Sequence, residues 1–576
     1  MKTKSILILA IISLGILAFL SLNKSIEENI ETTPKIAMNF IKCTPATFLL
    51  SDVDTTKQIS PLFENLGTHS YTISTANERA QQFFNQGLKH AYGFNHAEAH
   101  RSFMEASRLD PNAAMTFWGQ AYVLGPNIND PLPDEDRKNK YNEAIAKAKA
   151  LVKNASPKEQ ALINALTHRY STNLEKDVAE LNMNYMKAMT DVVAKYPNDS
   201  DIQTLFAASV MNTVPWNYWD KDGNPSPNIK EAKAALEKAI EINPDNPGAH
   251  HYYIHMVELP KPDLAVPSAD KLGGLMPSSG HIVHMPSHIY IRVGRYKDAV
   301  IANQKAILAD EDYISQCFAQ GMYPLGYYPH NIHFLWSASS LLGASNIAID
   351  AAKKTDEKVP AGEMKELHFL QNFAATPLLA YTRFGKWNDI LTMPSPNSDI
   401  KHLKLIWHYA RGIAFIKKNN LKDAKEELEA LDELIKDPEL ENIFATGFDS
   451  SLTIAKLAYQ VVAGELAAAN NNLDLAIEHL EKAVTMEDNL IYNEPAAWYI
   501  PTRQNLGAVL LKAEKHEAAE HIYKEDLKEL RQNGWSLMGL YKSLVAQGKN
   551  EEAKTIKDEF DNAWKDADII IDNSVL

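Results

Sequence analysis

The stretch Gly87-Leu-Lys-His-Ala-Tyr-Gly-Phe-Asn-His-Ala-Glu-Ala99-His-Arg-Ser-Phe103-Met-Glu-Ala106-Ser-Arg-Leu-Asp-Pro111 decides the fold. Its residues are spaced as two helices folded back on each other require. Gly87, Ala99 and Ala106 are small enough for the helices to approach closely, Phe103 fills the gap, and Pro111 ends the second helix. Outward from this hairpin, apolar residues recur at helical spacing, as in 232–242 and 476–484, and no sustained alternating run appears. The prediction is helices throughout and no strands.

Gly87, Ala99, Phe103, Ala106 and Pro111 fall at the eighth, twentieth, twenty-fourth, twenty-seventh and thirty-second positions of a unit of about 34 residues, which resembles the tetratricopeptide repeat (TPR). Fragments of the same skeleton recur as Ala232, Ala239 and Pro244; Tyr290, Gly294, Tyr296, Ala299 and Ala306; Gly412 and Ala424; Gly464, Ala476 and Ala483; Leu506, Gly507 and Ala519; and Trp535 and Gly539. The spacing is irregular between Asn127 and Lys230, where Pro215-Trp216-Asn217 and 220–227 interrupt it. The resemblance implies an all-α, TPR-type α-solenoid, a superhelix of helical hairpins. The expected layout is a signal peptide or membrane anchor at 1–22, a linker at 23–75, an N-terminal array at 76–345 and a C-terminal array at 346–576.

Lys2 and Lys4 precede a mostly apolar run from Ile6 to Leu22, the pattern of an export signal or an uncleaved anchor. With the lysines on the cytoplasmic side, the rest of the chain is expected outside the cytoplasm, periplasmic or anchored to the membrane through this segment alone. The two cysteines, Cys43 and Cys317, cannot make a disulfide framework. One long-range bridge stays open beside the plainer reading of two unpaired thiols. A net charge of -15 without a basic run argues against nucleic acid as a partner.

Eight of the 19 histidines fall between residues 250 and 333. Phased on Pro244, His251, His255 and Glu258 take positions five, nine and twelve of a repeat's first helix. Phased on Ala299, His281, His284 and His288 take positions two, five and nine of the next. With Gly343 as the loop glycine of a third unit, His330 and His333 take positions two and five. In TPR domains these positions line the concave groove, so the resemblance implies that three inner helices aim seven imidazoles and one carboxylate into one concavity, with His250 turned to the packing side.

Imidazoles at i and i+4 lie one turn apart and can share an ion whose shell a neighbouring helix completes. His251, His255, Glu258, His281, His284, His288, His330 and His333 are therefore the candidate ligands of a transition metal, with Cu, Fe or Zn favoured by a set free of thiolate. The order His251-x3-His255-x2-Glu258 lacks the glutamate base between two ligands that zinc peptidases use. An aromatic surround of Tyr252, Tyr253, Tyr290, Tyr323, Tyr327, Tyr328 and Trp336 would suit redox chemistry on a small organic substrate. The alternative is a non-enzymatic scaffold holding a peptide or protein partner in the same groove. Gly93-Phe94-Asn95-His96 and Phe117-Trp118-Gly119 are expected to be structural, and Asn493 to Arg503 could reach the groove from a C-terminal repeat.

Overall fold

A computed structural model describes residues 56–316, 323–360 and 362–576. The expected signal or anchor segment at 1–22, the linker up to residue 55, Cys43 and Cys317 lie outside the described residues. Among the described residues the chain is all-α, built of successive helical hairpins, with no strand; an isolated antiparallel bridge joins Trp219 and Pro225. The helices fall into two compact units.

Of the described residues, the first unit holds 56–289, 305–316 and 323–328. Its leading hairpin pairs Glu78–Tyr92 with His96–Leu109. Phe94 turns the chain in the left-handed region at φ 56°, and the Asn95 side chain caps the second helix by accepting from the Glu98 N–H at 3.3 Å. Phe103 is fully buried, and its ring occupies the place that side chains on Gly87 and Gly119 would take: an added Cβ would come within 2.7 and 2.5 Å of it. The small-large-small register read from the sequence is thus a wedge between three successive helices, including Ala114–Leu124.

Residues 56–75 carry no helix but are fastened to this hairpin. The Ile59 N–H donates to Glu105 at 2.9 Å, Ser60 Oγ to Glu98 at 2.7 Å, and the Phe63 N–H to Gln86 at 2.9 Å. Glu135–Ala150, Pro157–Thr167, Val178–Lys195, Ser200–Met211 and Ile229–Ile242 continue the array. Pro247–Val257 begins on a strong start signal. Asn246 accepts from the Ala249 N–H at 3.1 Å, and Pro247 takes the first position, where its missing N–H costs nothing. The short helices Gly280–His284 and Pro286–Arg292 follow. Gly280 is required there because the buried Asp310 carboxylate occupies the space a Cβ would need.

Of the described residues, the second unit holds 290–304, 329–360 and 362–576. It repeats the wedge: Tyr523, fully buried, lies against Gly507 and Gly539, and Leu480 against Gly464. Ser451–Ala469 is long and apolar enough to span a membrane, yet Ile454, Leu457, Ala458, Val461 and Val462 are core residues here. Asp568 returns to the start of Ser345–Glu357, accepting from the N–H groups of Ser345 and Asn346 at 2.7 and 3.0 Å, where the helix dipole favours a carboxylate. Close by, the Trp535 indole donates to the Ser340 carbonyl at 3.1 Å.

Candidate metal centre

Pro247–Val257 puts His251 and His255 one turn apart, and Glu258 follows at its C-terminal cap, where Pro260 and Pro262 stop the helix. Gly280–His284 supplies His281 and His284, and the turn beginning at Pro286 supplies His288. All six residues lie in the first unit and each exposes 4 % or less of its surface. They are a buried cluster, where the repeat register predicted residues lining a groove.

Two overlapping triads stand out. One ligand atom each from His251, His255 and His281 lie within 4.8 Å of one another, and so do atoms of His255, Glu258 and His288. Glu258 approaches His255 Nδ1 at 3.5 Å through Oε1 and His288 Nδ1 at 3.0 Å through Oε2. Its burial works to raise the carboxyl pKa, but the imidazoles of His288 and His255 outweigh that and hold it down at about 2.

The proton on His251 can be placed. Its Nδ1 lies 2.6 Å from the Tyr92 carbonyl oxygen, which can only accept, so Nδ1 carries the hydrogen. Burial, and then the neighbouring His255, push the His251 pKa well below 6.5, so the ring is neutral and Nε2 is a bare nitrogen. That Nε2 is buried without a hydrogen-bond partner, as is His255 Nε2. Nδ1 of His255 faces the Glu258 carboxylate and donates to it. An imidazole whose far N–H is held by a carbonyl or carboxylate, with its other nitrogen presented bare, is the usual state of a metal-ligating histidine.

Aromatic rings close the cluster. Phe94 lies 4.4 Å from His251, 5.9 Å from His255 and 5.5 Å from His281 between centroids. Trp216 stands edge-on to His255 at 5.0 Å, and Tyr327 edge-on to His281 at 5.0 Å. The Trp219 indole donates to the Met256 carbonyl at 2.7 Å, fixing the 213–228 loop to the histidine helix. The role of Phe94 is thus packing, as expected for Gly93-Phe94-Asn95-His96, but its partners are the histidine rings. The break in repeat spacing at Pro215-Trp216-Asn217 was the available signal for Trp216, since a residue that leaves the repeat pattern is released for another contact.

Of the expected aromatic surround, Tyr252 joins through Phe94, at 5.7 Å, and Tyr327 through His281. Tyr253 instead donates to Glu237, Tyr323 to Asp310 and Tyr328 to Glu311, while Trp336 stacks on Tyr499 at 3.5 Å. His250 is a satisfied structural histidine, bonded to Ser268 Oγ and the Pro244 carbonyl at 2.9 Å each. His330 and His333 belong to the second unit, on Tyr328–Leu342. His330 lies edge-on to Phe334 at 4.9 Å. His333 joins none of the close groups: its ring lies on Trp336 at 4.7 Å and edge-on to Phe373 at 5.4 Å, which explains its departure from the expected set.

A family model described as "Tetratricopeptide repeat" matches residues 228–246, the helix and turn that lead into His251. No curated protein matches the sequence. Among solved structures, the chain is similar to a human IFIT1 dimer with PPP-AAAA (13% identity, 85% of this chain and 95% of that chain, TM-score 0.33). It is also similar to the APC/C hetero-tetramer Cut9–Hcn1 (13%, 85% and 74%, 0.27) and to yeast Tom70 (14%, 84% and 90%, 0.24).

Proposed function

On this tetratricopeptide-type scaffold, we propose that the chain is a metal-binding protein that holds a transition metal ion between His251, His255 and His281. The observation that carries the reading is the pair of buried, partnerless Nε2 atoms on His251 and His255, in a triad whose donor atoms lie within 4.8 Å of one another. A lone pair on His251 buried without a donor is costly, and a cation relieves it.

Tyr92 and Glu258 orient the two rings, and Phe94, Trp216 and Tyr327 exclude water. An all-imidazole set suits Zn, Cu or Fe. When bound, such an ion supplies Lewis acidity or, for Cu and Fe, a redox couple. A three-nitrogen set leaves a four-coordinate ion one further position, so an oxidoreductase acting on a small organic molecule is the catalytic form of the same reading. The N-terminal Lys2, Lys4 and apolar run support an exported setting, periplasmic or tethered by that segment.

A peptide or protein partner is the other use of a TPR-type array. The buried histidines do not favour it, since a peptide needs exposed groove residues. Metal analysis of purified protein beside a His251→Ala, His281→Ala double variant tests the proposal. The ion should be retained by the first and lost from the second, and equal content in the two would sink the reading.

A further inference from the structure

Arg169 follows the end of Pro157–Thr167 and exposes 2 % of its surface. Its Nε donates to Asn182 Oδ1 at 3.2 Å and its Nη2 to the Pro126 carbonyl at 2.6 Å, while Nη1 is buried without a hydrogen bond. The guanidinium also stands 5.0 Å from the centre of the Tyr185 ring. All three partners are neutral. Arg169 makes no ion pair among the described residues, and the Asp130 carboxylate, four residues beyond Pro126, is taken by Arg137. Nor does a tyrosine supply the missing anion. Burial raises the pKa of Tyr122, Tyr141, Tyr170, Tyr185 and Tyr252, the hydroxyls closest to the Arg169 charge, so all stay protonated at neutral pH.

A buried cation without a counter-charge is strongly destabilising, and a water on Nη1 would satisfy the hydrogen bond but not the charge. Space for an anion lies beside it. Arg169 and Asn212 line a small cavity whose apolar wall is Phe94, Ile128, Ala208 and Met211. Asn182, which holds Arg169 Nε, also donates to the Asn212 carbonyl at 3.3 Å and so ties the two polar residues together. Asn212 Oδ1 is buried without a hydrogen bond, and a half-turn of that amide presents its NH2 group instead. His96, also in the lining, has its pKa lowered to about 3, chiefly by burial, and is neutral. The site therefore carries one positive charge, which a monoanion balances and a dianion would overshoot. The free space is that of about one or two water molecules, which sets the guest near the size of acetate.

We propose that this cavity binds a short monocarboxylate, which accepts from Arg169 and the Asn212 amide and lays its alkyl end against Phe94, Ile128 and Met211. Guanidinium and carboxylate form a charge-assisted hydrogen bond, stronger than either neutral oxygen now offers Arg169. The apolar wall favours an acid with a methyl or ethyl group over a bare halide. Phe94 is shared with the histidine cluster: the ring packed on His251, His255 and His281 is also a wall of the cavity, so the acid lies against the cover of that cluster. Its binding requires no metal.

The test is isothermal titration calorimetry of the full chain with sodium acetate and sodium propionate at constant ionic strength. Acetamide serves as the same shape without charge, and sodium chloride as the same charge without the shape. Saturable binding of one acetate per chain is expected, with no heat from acetamide and weaker binding of chloride. Arg169→Gln should weaken acetate about 10–100-fold, the usual range for losing a hydrogen bond to a charged group. Asn212→Asp puts a resident carboxylate on the cavity at almost unchanged volume. It should bind no acetate, and acetate should raise the melting temperature of the unmodified chain but not of this variant. Because it adds no bulk, Asn212→Asp decides the matter even if circular dichroism shows Arg169→Gln to be misfolded. Absence of saturable acetate binding, or equal affinity in the unmodified chain and Asn212→Asp, overturns the site. Acetamide binding as well as acetate would refute the role of charge, and chloride binding as tightly as acetate would refute a carboxylate as the guest.

Discussion

Mild acid should open the leading hairpin. His90, His96 and His100 are buried along Glu78–Leu109, and each has its pKa lowered to about 3. Burial is the main cause for each, reinforced by Lys89 at His90, by Arg137 and Arg169 at His96, and by Lys140 at His100. In the unfolded chain the same rings titrate near 6.5. Above that value neither state is protonated and stability is full. As pH falls from 6.5 toward 3, the unfolded chain takes up protons that the folded hairpin refuses, so stability is lost across that window.

At pH 5.5 each ring costs about 1.4 kcal/mol, and the three together about 4 kcal/mol, a sizeable fraction of the ~5–15 kcal/mol that holds a domain. The assay is hydrogen–deuterium exchange of peptides covering 78–109 at pH 7.5 and 5.5, corrected for the intrinsic exchange rate. Protection should fall by about a thousandfold, since 1.4 kcal/mol is a factor of ten. Corrected protection that is the same at both values would refute the reasoning. The effect reaches the histidine cluster, because the hairpin carries both the Tyr92 carbonyl that sets His251 and the Phe94 ring that covers it.

Phe103→Ala and Tyr523→Ala each empty a wedge between two glycines and should each cost about 3–5 kcal/mol in urea unfolding. Saturating Zn(II), at about a hundred times its Kd for the His251 site, should stabilise the unmodified protein by ~2.7 kcal/mol more than it stabilises His251→Ala, which a thermal melt with and without chelator measures. Phe94→Ala removes the ring packed on three histidines and should weaken metal binding about 10–100-fold in a competition titration while helix content holds.

Helix class and the glycine–aromatic register were legible because packing of adjacent helices needs fixed sizes at fixed spacing: Gly87, Phe103 and Gly119 say as much in sequence as in space. The nearness of candidate ligands His251 and His255 was legible because i to i+4 spacing survives any detail of packing, while His281, on another helix, was singled out through the repeat register. Burial of the cluster was not legible, because its cover comes from Trp216, in the irregular stretch, and Phe94, in a helix-connecting turn, whose contacts are set by the loops. Nor could spacing reveal the role of Tyr92, which acts through a backbone carbonyl and so leaves no mark on residue type.

The Asp568 cap has a consequence for how the second unit is made. A helical repeat array ordinarily grows by nearest-neighbour contacts, each hairpin docking on the one synthesised just before it. Here the N-terminus of Ser345–Glu357 is finished by a carboxylate more than two hundred residues later, with the Trp535 bond to Ser340 beside it. On the ribosome, synthesis at ~5–20 residues per second leaves that helix start open for about ten seconds or more after its own hairpin has emerged. The unit is thus assembled locally but locked globally, and the order of translation, more than local helix strength, times its completion.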